Sequence, residues 1–122
     1  MTSAVAGRVA FLDALEAEVA RAADVDARLA VAVVREPDAP TGQVPAVLRE
    51  LGAGAVYAVG PGAHAVVLAG AGRAEALGLL AKVEVRCGAG GAAVERAEAE
   101  SALELYVRLL SGGRPRPGAD HR

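Results

Sequence analysis

A loop of four residues between two short apolar runs constrains the fold of this chain more than any other feature. The runs cover residues 55–59 and 65–69 and consist mainly of valine and alanine. The loop between them is Gly60, Pro61, Gly62 and Ala63. A short loop with glycine and proline joins antiparallel neighbours, so we expect a β-hairpin whose second strand is introduced by His64.

The remaining pattern predicts helices and strands on both sides of this hairpin. In chain order we expect a helix over 4–23, a strand over 29–34, a short helix from Thr41 or Gln43 to Leu51, the hairpin, a helix over 73–82, a strand over 83–87 and a helix over 95–110. The predicted inward faces are Val5, Val9, Leu12, Leu15 and Val19 in the first helix, Leu77, Leu80 and Ala81 in the third, and Leu103, Val107 and Leu110 with Tyr106 beside them in the last.

The inner part of this order, βαββαβ, predicts an α+β fold of the ferredoxin-like or nucleotide-cyclase-like split-βαβ type. We expect an antiparallel sheet with the helices packed on one face. Residues 1–111 would form one domain, because in a chain of 122 residues a second domain could not build a core of its own. Residues 112–122, with their prolines and glycines, are expected to be a disordered tail.

Composition excludes several classes of function. The net charge of −2 and the 2% of aromatic residues argue against a nucleic-acid-binding surface. A single cysteine excludes a disulfide framework and a zinc ribbon, and we expect no metal and no cofactor. We find no membrane-spanning run and no signal peptide, so the expected location is the cytoplasm.

Two groups of residues are candidates for binding or catalysis. Gly70, Gly72 and Arg73 lie between a strand and a helix and could contact an anion, although an ordinary turn explains the same residues. His64 could act as a general base or a metal ligand, with Glu36 and Asp38 as partners in a rearranged metal site. A polar residue at the end of a strand is the simpler interpretation of His64.

The hairpin and both ends of the chain resemble GGDEF domains, the diguanylate cyclases. The family's hairpin reads v-a-R-l-G-G-D-E-F-a-v-l-l, and residues 56–68 read VYAVGPGAHAVVL. Arg8 and Phe11 match the final Arg and Phe of the family's L-T-G-L-x-N-R-x-x-F, and residues 99–103 are similar to its A-D-x-A-L-Y. The resemblance extends over about residues 3–110, and it implies a bacterial protein related to cyclic di-GMP signalling.

The resemblance also implies that the family's chemistry is lost. Cyclases of this family hold Mg²⁺ with two carboxylates during phosphoryl transfer from GTP. Ala63 stands where the signature has its glutamate, Gly62 where it has its aspartate, and Arg35 where the first strand should supply the other metal ligand. The product-inhibition motif R-x-x-D is also replaced, at residues 52–55. We therefore expect no catalytic residues and no cyclase activity.

Two functions follow from this reading. The first is a non-catalytic regulatory or structural module that acts through contacts with a protein partner or a second copy. The alternative is a small-ligand sensor that uses the degenerate hairpin cleft, with a nucleotide as the ligand.

Overall fold

The computed structural model describes residues 7–36 and 42–111, which form four helices and four strands. In chain order they are α1 (Arg8–Val25), β1 (Leu29–Arg35), α2 (Gln43–Glu50), β2 (Val56–Gly60), β3 (Ala63–Ala69), α3 (Arg73–Cys87), β4 (Gly90–Glu95) and α4 (Ala102–Leu110). Val5, Asp38, Thr41 and the tail 112–122 lie outside the described residues.

The four strands form one antiparallel sheet in the order β2-β3-β1-β4. Helix α2 connects β1 to β2, and β3 lies between these two strands. Helix α3 connects β3 to β4 in the same way, with β1 between them. This is the split-βαβ arrangement, so the expected fold class and the hairpin are confirmed.

The prediction that the helices pack on one face of the sheet is wrong. Strand β1 alternates between two separate cores and buries every side chain except that of Arg35. Leu29, Val31 and Val33 contact α1 and α4, while Ala30, Ala32 and Val34 contact α2 and α3. The continuous apolar run of β1 is typical of a strand that is covered on both faces.

The two cores differ in the size of their side chains. All three aromatic residues of the chain meet between α1, α4 and the hairpin: the ring of Phe11 lies 5.6 Å from that of Tyr57 and 5.7 Å from that of Tyr106, centre to centre. The α2–α3 side is built from alanine, valine and leucine. Large rings therefore fill the side of the sheet that α1 and α4 cover.

The strand predicted over residues 83–87 is wrong, because these residues form the last part of α3. Five alternating residues fit a helix as well as a strand, and Val83 and Cys87 continue an inward helical stripe that begins at Ala76. Gly88 ends the helix in a left-handed conformation with φ of 74°. The fourth strand follows as β4, which is rich in glycine and alanine.

Three predicted helix faces also need correction. In α1, Leu15 is buried as predicted, together with Phe11 and Ala22, whereas Val9 is 75% exposed. In α3, Leu77 and Ala81 are exposed, whereas Ala76 and Val83 are buried. In α4, which begins at Ala102 and not at residue 95, the buried residues are Ala102, Leu105, Tyr106 and Leu109. The predicted stripe of α4 therefore faces outwards.

The register of α4 is fixed at its first turn. The Ser101 hydroxyl accepts a hydrogen bond from the backbone N–H of Glu104 at 3.1 Å, and the Glu104 carboxylate accepts one from the Ser101 N–H at 2.9 Å. This reciprocal capping box starts the helix at Ala102. Within the described residues, no helix is long and apolar enough to cross a membrane.

Candidate functional site

The hairpin lies at the end of the sheet where β1 finishes. Pro61 and Gly62 form its turn, and Gly62 has a φ of 66°, which favours glycine. The Glu36 N–H donates to the carbonyl of Gly62 at 2.9 Å. Arg35 therefore pairs with Ala63, and Val34 pairs with His64. The hairpin residues predicted from the sequence, together with the end of β1, meet in one place.

On the α1–α4 side, the hairpin borders a cleft of about 390 Å³. The cleft is lined by Arg8, Arg35, Val59, Gly60, Pro61, Ala63, Tyr106 and Leu110. The guanidinium of Arg8 reaches across from α1 and donates from Nη2 and Nε to the carbonyl of Val59, at 2.8 and 3.3 Å. Two arginines and no carboxylate are among the described residues that line this cleft, so these residues give it a cationic character.

His64 and Glu36 belong to the opposite side of the hairpin, because their neighbour Val34 faces α2 and α3. Burial lowers the pKa of the His64 imidazole from its ordinary value of 6.5, and the nearby charge of Glu36 raises it again in part. The Nδ1 atom of His64 is buried, and no described residue forms a hydrogen bond with it. The structure thus brings together two of the three residues considered for a rearranged metal site.

The third residue of that set, Asp38, lies outside the described residues. Over residues 7–36 and 42–111, no three histidine, cysteine or carboxylate side chains are grouped so that they could hold a metal ion. His64 and Glu36 alone offer two ligands, whereas Zn²⁺ sites use three or four protein ligands and Mg²⁺ prefers oxygen ligands.

The second candidate site, at the start of α3, is filled by the protein's own carboxylates. Glu75 accepts a hydrogen bond from the Gly72 N–H and Glu95 accepts one from the Arg73 N–H, both at 2.9 Å. The Arg28 guanidinium contacts Glu95 at 3.1 Å and covers Gly72 so closely that a Cβ there would lie 2.7 Å from it. An external anion at Gly70, Gly72 and Arg73 would have to displace Glu95.

The bonds to Glu95 also change its acidity. The Arg73 N–H and the Arg28 side chain lower the pKa of the Glu95 carboxyl. Burial would raise the pKa of Glu100, but hydrogen bonds from Arg108 and from the Ala97 N–H outweigh it and lower that pKa. The two glutamates are therefore anchored parts of the fold, although both lie before α4 and not in the helix predicted over 95–110.

A surface feature whose orientation the sequence analysis missed is an apolar stripe on the outside of α4. The α4 stripe consists of Leu103, Val107 and Leu110, which are 66%, 54% and 47% exposed. The three residues follow each other at helical spacing, so they form one face. The signal for their orientation was the sequence Ser101-x-x-Glu104, which starts the helix at Ala102 and fixes its register.

Comparison with solved structures identifies the fold. The GGDEF domain of DgcB from Caulobacter crescentus, solved in complex with c-di-GMP, superimposes with a TM-score of 0.73 and 18% sequence identity, over 88% of this chain and 80% of that one. A DGC protein from Thermotoga maritima gives a TM-score of 0.63 at 14% identity, over 88% of this chain and 95% of that one. No protein-family model matches the chain, and neither does any curated protein. The chain thus has a GGDEF-like fold, as the sequence resemblance implied.

Proposed function

We propose that this chain is a non-catalytic GGDEF-like module, regulatory or structural, that acts through protein–protein contacts in the bacterial cytoplasm. The α4 stripe is the observation that carries the contact role. Its three large apolar side chains are about half exposed or more, and the other face of the helix is already buried in the core. The stripe is therefore an apolar surface that a partner could cover.

The loss of catalysis is supported by the charges around the hairpin. A divalent cation that binds the triphosphate of a nucleotide needs carboxylate ligands from the protein, since these ligands neutralise the charge of the cation and fix its position. At the two positions where the family resemblance expects such ligands, this chain has Arg35 and Ala63, and both line the cationic cleft. A guanidinium at the end of β1 would repel Mg²⁺.

We propose a second copy of this chain as the partner of the α4 stripe. Glu104 and Arg108 already have partners within the chain, Ser101 and Glu100, so the contact would rest on the apolar stripe itself. Two α4 helices packed antiparallel about a two-fold axis would place the stripe of one copy against that of the other. The same arrangement places Leu103 against Leu110.

The expected dimer is weak. Helix α4 has nine residues and a length of about 13 Å, so its outer face cannot supply the ~800 Å² per partner of a standard interface. We therefore expect a reversible dimer with a dissociation constant in the micromolar to millimolar range, which fits a module that associates within a larger assembly.

Sedimentation equilibrium over a range of concentrations tests the contact. Leu103→Glu buries a charge in the proposed interface and should weaken the dimer by about tenfold or more. Val85→Glu is the matched control, because Val85 is 86% exposed on α3, away from α4, and receives the same charge. A wild-type protein that stays monomeric at the highest concentration, or an equal effect of the two substitutions, would contradict the proposal.

The cleft favours a second candidate function, a small-ligand sensor that uses a nucleotide as its ligand. Its volume of about 390 Å³ lies within the range of small-molecule sites, and the hairpin residues form one wall of it. A panel of nucleotides should then raise the melting temperature of the protein. Absence of any shift across the panel would argue against this function.

A further inference from the structure

The cleft beside the hairpin contains two positive charges, and none of the described residues that line it is a carboxylate. Arg8 is held in place by the carbonyl of Val59, which is neutral, so the charge of its guanidinium is not cancelled. Arg35 is exposed at the end of β1, and no described residue forms an ion pair or a hydrogen bond with its side chain. Both arginines line the same cleft.

The rest of the cleft is apolar. Val59, Ala63 and Tyr106 are buried side chains of its wall, and Pro61 and Leu110 add partly exposed apolar surface. Guanidinium groups bind phosphate through paired N–H donors. Burial of a ring or a short apolar chain against the apolar wall would stabilise the complex through the hydrophobic effect. The ligand that fits both features carries a phosphate at one end and a small apolar or aromatic body at the other.

We propose that this cleft binds a phosphate monoester without a metal ion, through Arg8 and Arg35. This ligand class rests on the second candidate function, ligand sensing, and its cleft shares only Leu110 with the α4 stripe. A GGDEF cyclase neutralises the phosphates of its nucleotide with a divalent cation held by carboxylates. In this chain the arginines supply the positive charge directly, so a metal ion has no role in binding.

Phenyl phosphate is the test ligand, titrated into the full chain by calorimetry in the presence of EDTA. We expect saturable binding that weakens as salt is raised, and no binding of phenol, which has the ring but lacks the phosphate. Arg35→Ala should weaken binding by about tenfold or more, because a charge-assisted hydrogen bond is lost. Arg35 makes no contact that the fold needs, so this variant should stay folded.

Arg21→Ala is the matched control, since it removes the same charge from α1 about 20 Å away from Arg8 along the helix. The proposal would be overturned if the two substitutions weakened binding equally, or if binding required Mg²⁺. It would also be overturned if phenol bound as tightly as phenyl phosphate, or if the titration gave no saturable heat. If nucleotides raise the melting temperature but phenyl phosphate does not bind, ligand sensing stands and this ligand class falls.

Discussion

Two glycines show how differently the same substitution can act in this fold. A Cβ at Gly91 would lie 1.9 Å from the carbonyl oxygen of Val33, so β4 can approach β1 only with glycine at that position. Gly78 lies in α3 with no atom within 4 Å of an added Cβ and with no left-handed conformation to preserve. The cost of a methyl group therefore depends on its surroundings.

We expect Gly91→Ala to lower the free energy of unfolding by about 2 kcal/mol or more, since backbone atoms would have to separate. Gly78→Ala should instead raise it by about 0.5–1 kcal/mol, because glycine within a helix costs conformational entropy. Urea denaturation of both variants measures the difference. Equal effects, or a stabilising Gly91→Ala, would mean that β4 does not pack against β1 as described.

His64 should make the stability of the fold sensitive to mildly acidic pH. Burial lowers its pKa below 6.5, so the folded protein binds this proton less readily than the unfolded chain. The stabilising contribution is present above pH 6.5 and is lost as the pH falls through the folded-state pKa. Glu95 and Glu100 also have lowered pKa values, but theirs fall from 4.5, so their contributions are lost at lower pH.

The matching experiment compares melting temperatures at pH 7 and pH 5 for the wild type and His64→Gln. The wild type should lose more stability than the variant between these two values, because glutamine does not titrate. The partner charge in this comparison is Glu36, which lies beside His64 and opposes the shift. An identical decrease in both proteins would show that His64 is not buried in its neutral form.

At the scale of elements, the start of α3 depends on a carboxylate from β4. Glu95 accepts hydrogen bonds from the Arg73 N–H and from Arg28, and its negative charge lies at the positive end of the helix dipole. We expect Glu95→Ala to cost about 1 kcal/mol of stability, given that the pair is partly exposed to solvent. Glu98→Ala, in the exposed turn before α4, is the control and should change stability little. Thermal unfolding at low and high salt measures both.

The elements that could be predicted from the sequence are those with a single consistent signal. The hairpin was marked by its glycines and proline, β1 by its β-branched run, and α2 by Val44, Val47 and Leu48 at helical spacing. For residues 83–95 the signals conflicted, because Val83, Val85 and Cys87 alternate like a strand and β4 itself is mostly glycine and alanine. There, contacts in the folded chain decide the structure.

The candidate site was only partly predictable for a similar reason. The hairpin residues and Arg35 are close to each other through β1–β3 pairing, and the family pattern pointed to them. Arg8 joins them through a hydrogen bond to Val59, 51 positions away in sequence, and Tyr106 and Leu110 come from the last helix. A cleft assembled from four distant segments leaves no local pattern in the sequence.

At the scale of the whole molecule, a GGDEF-like fold has Arg35 and Ala63 at the end of the sheet where its hairpin lies. The split-βαβ sheet is covered on both faces, and the aromatic side chains concentrate on the face that also carries the cleft. Close packing of the two cores stabilises this sheet. One fold can carry different groups and different chemistry at its end, which is the basis of the proposed non-catalytic role.

The most direct test is the reaction that diguanylate cyclases catalyse. Purified protein is incubated with GTP and either Mg²⁺ or Mn²⁺, beside a diguanylate cyclase as positive control, and pyrophosphate and cyclic di-GMP are quantified. We expect neither product above the level of a sample without protein, since none of the described residues that line the cleft is a carboxylate that could hold the metal ion. Formation of cyclic di-GMP by this chain would contradict the proposed non-catalytic role.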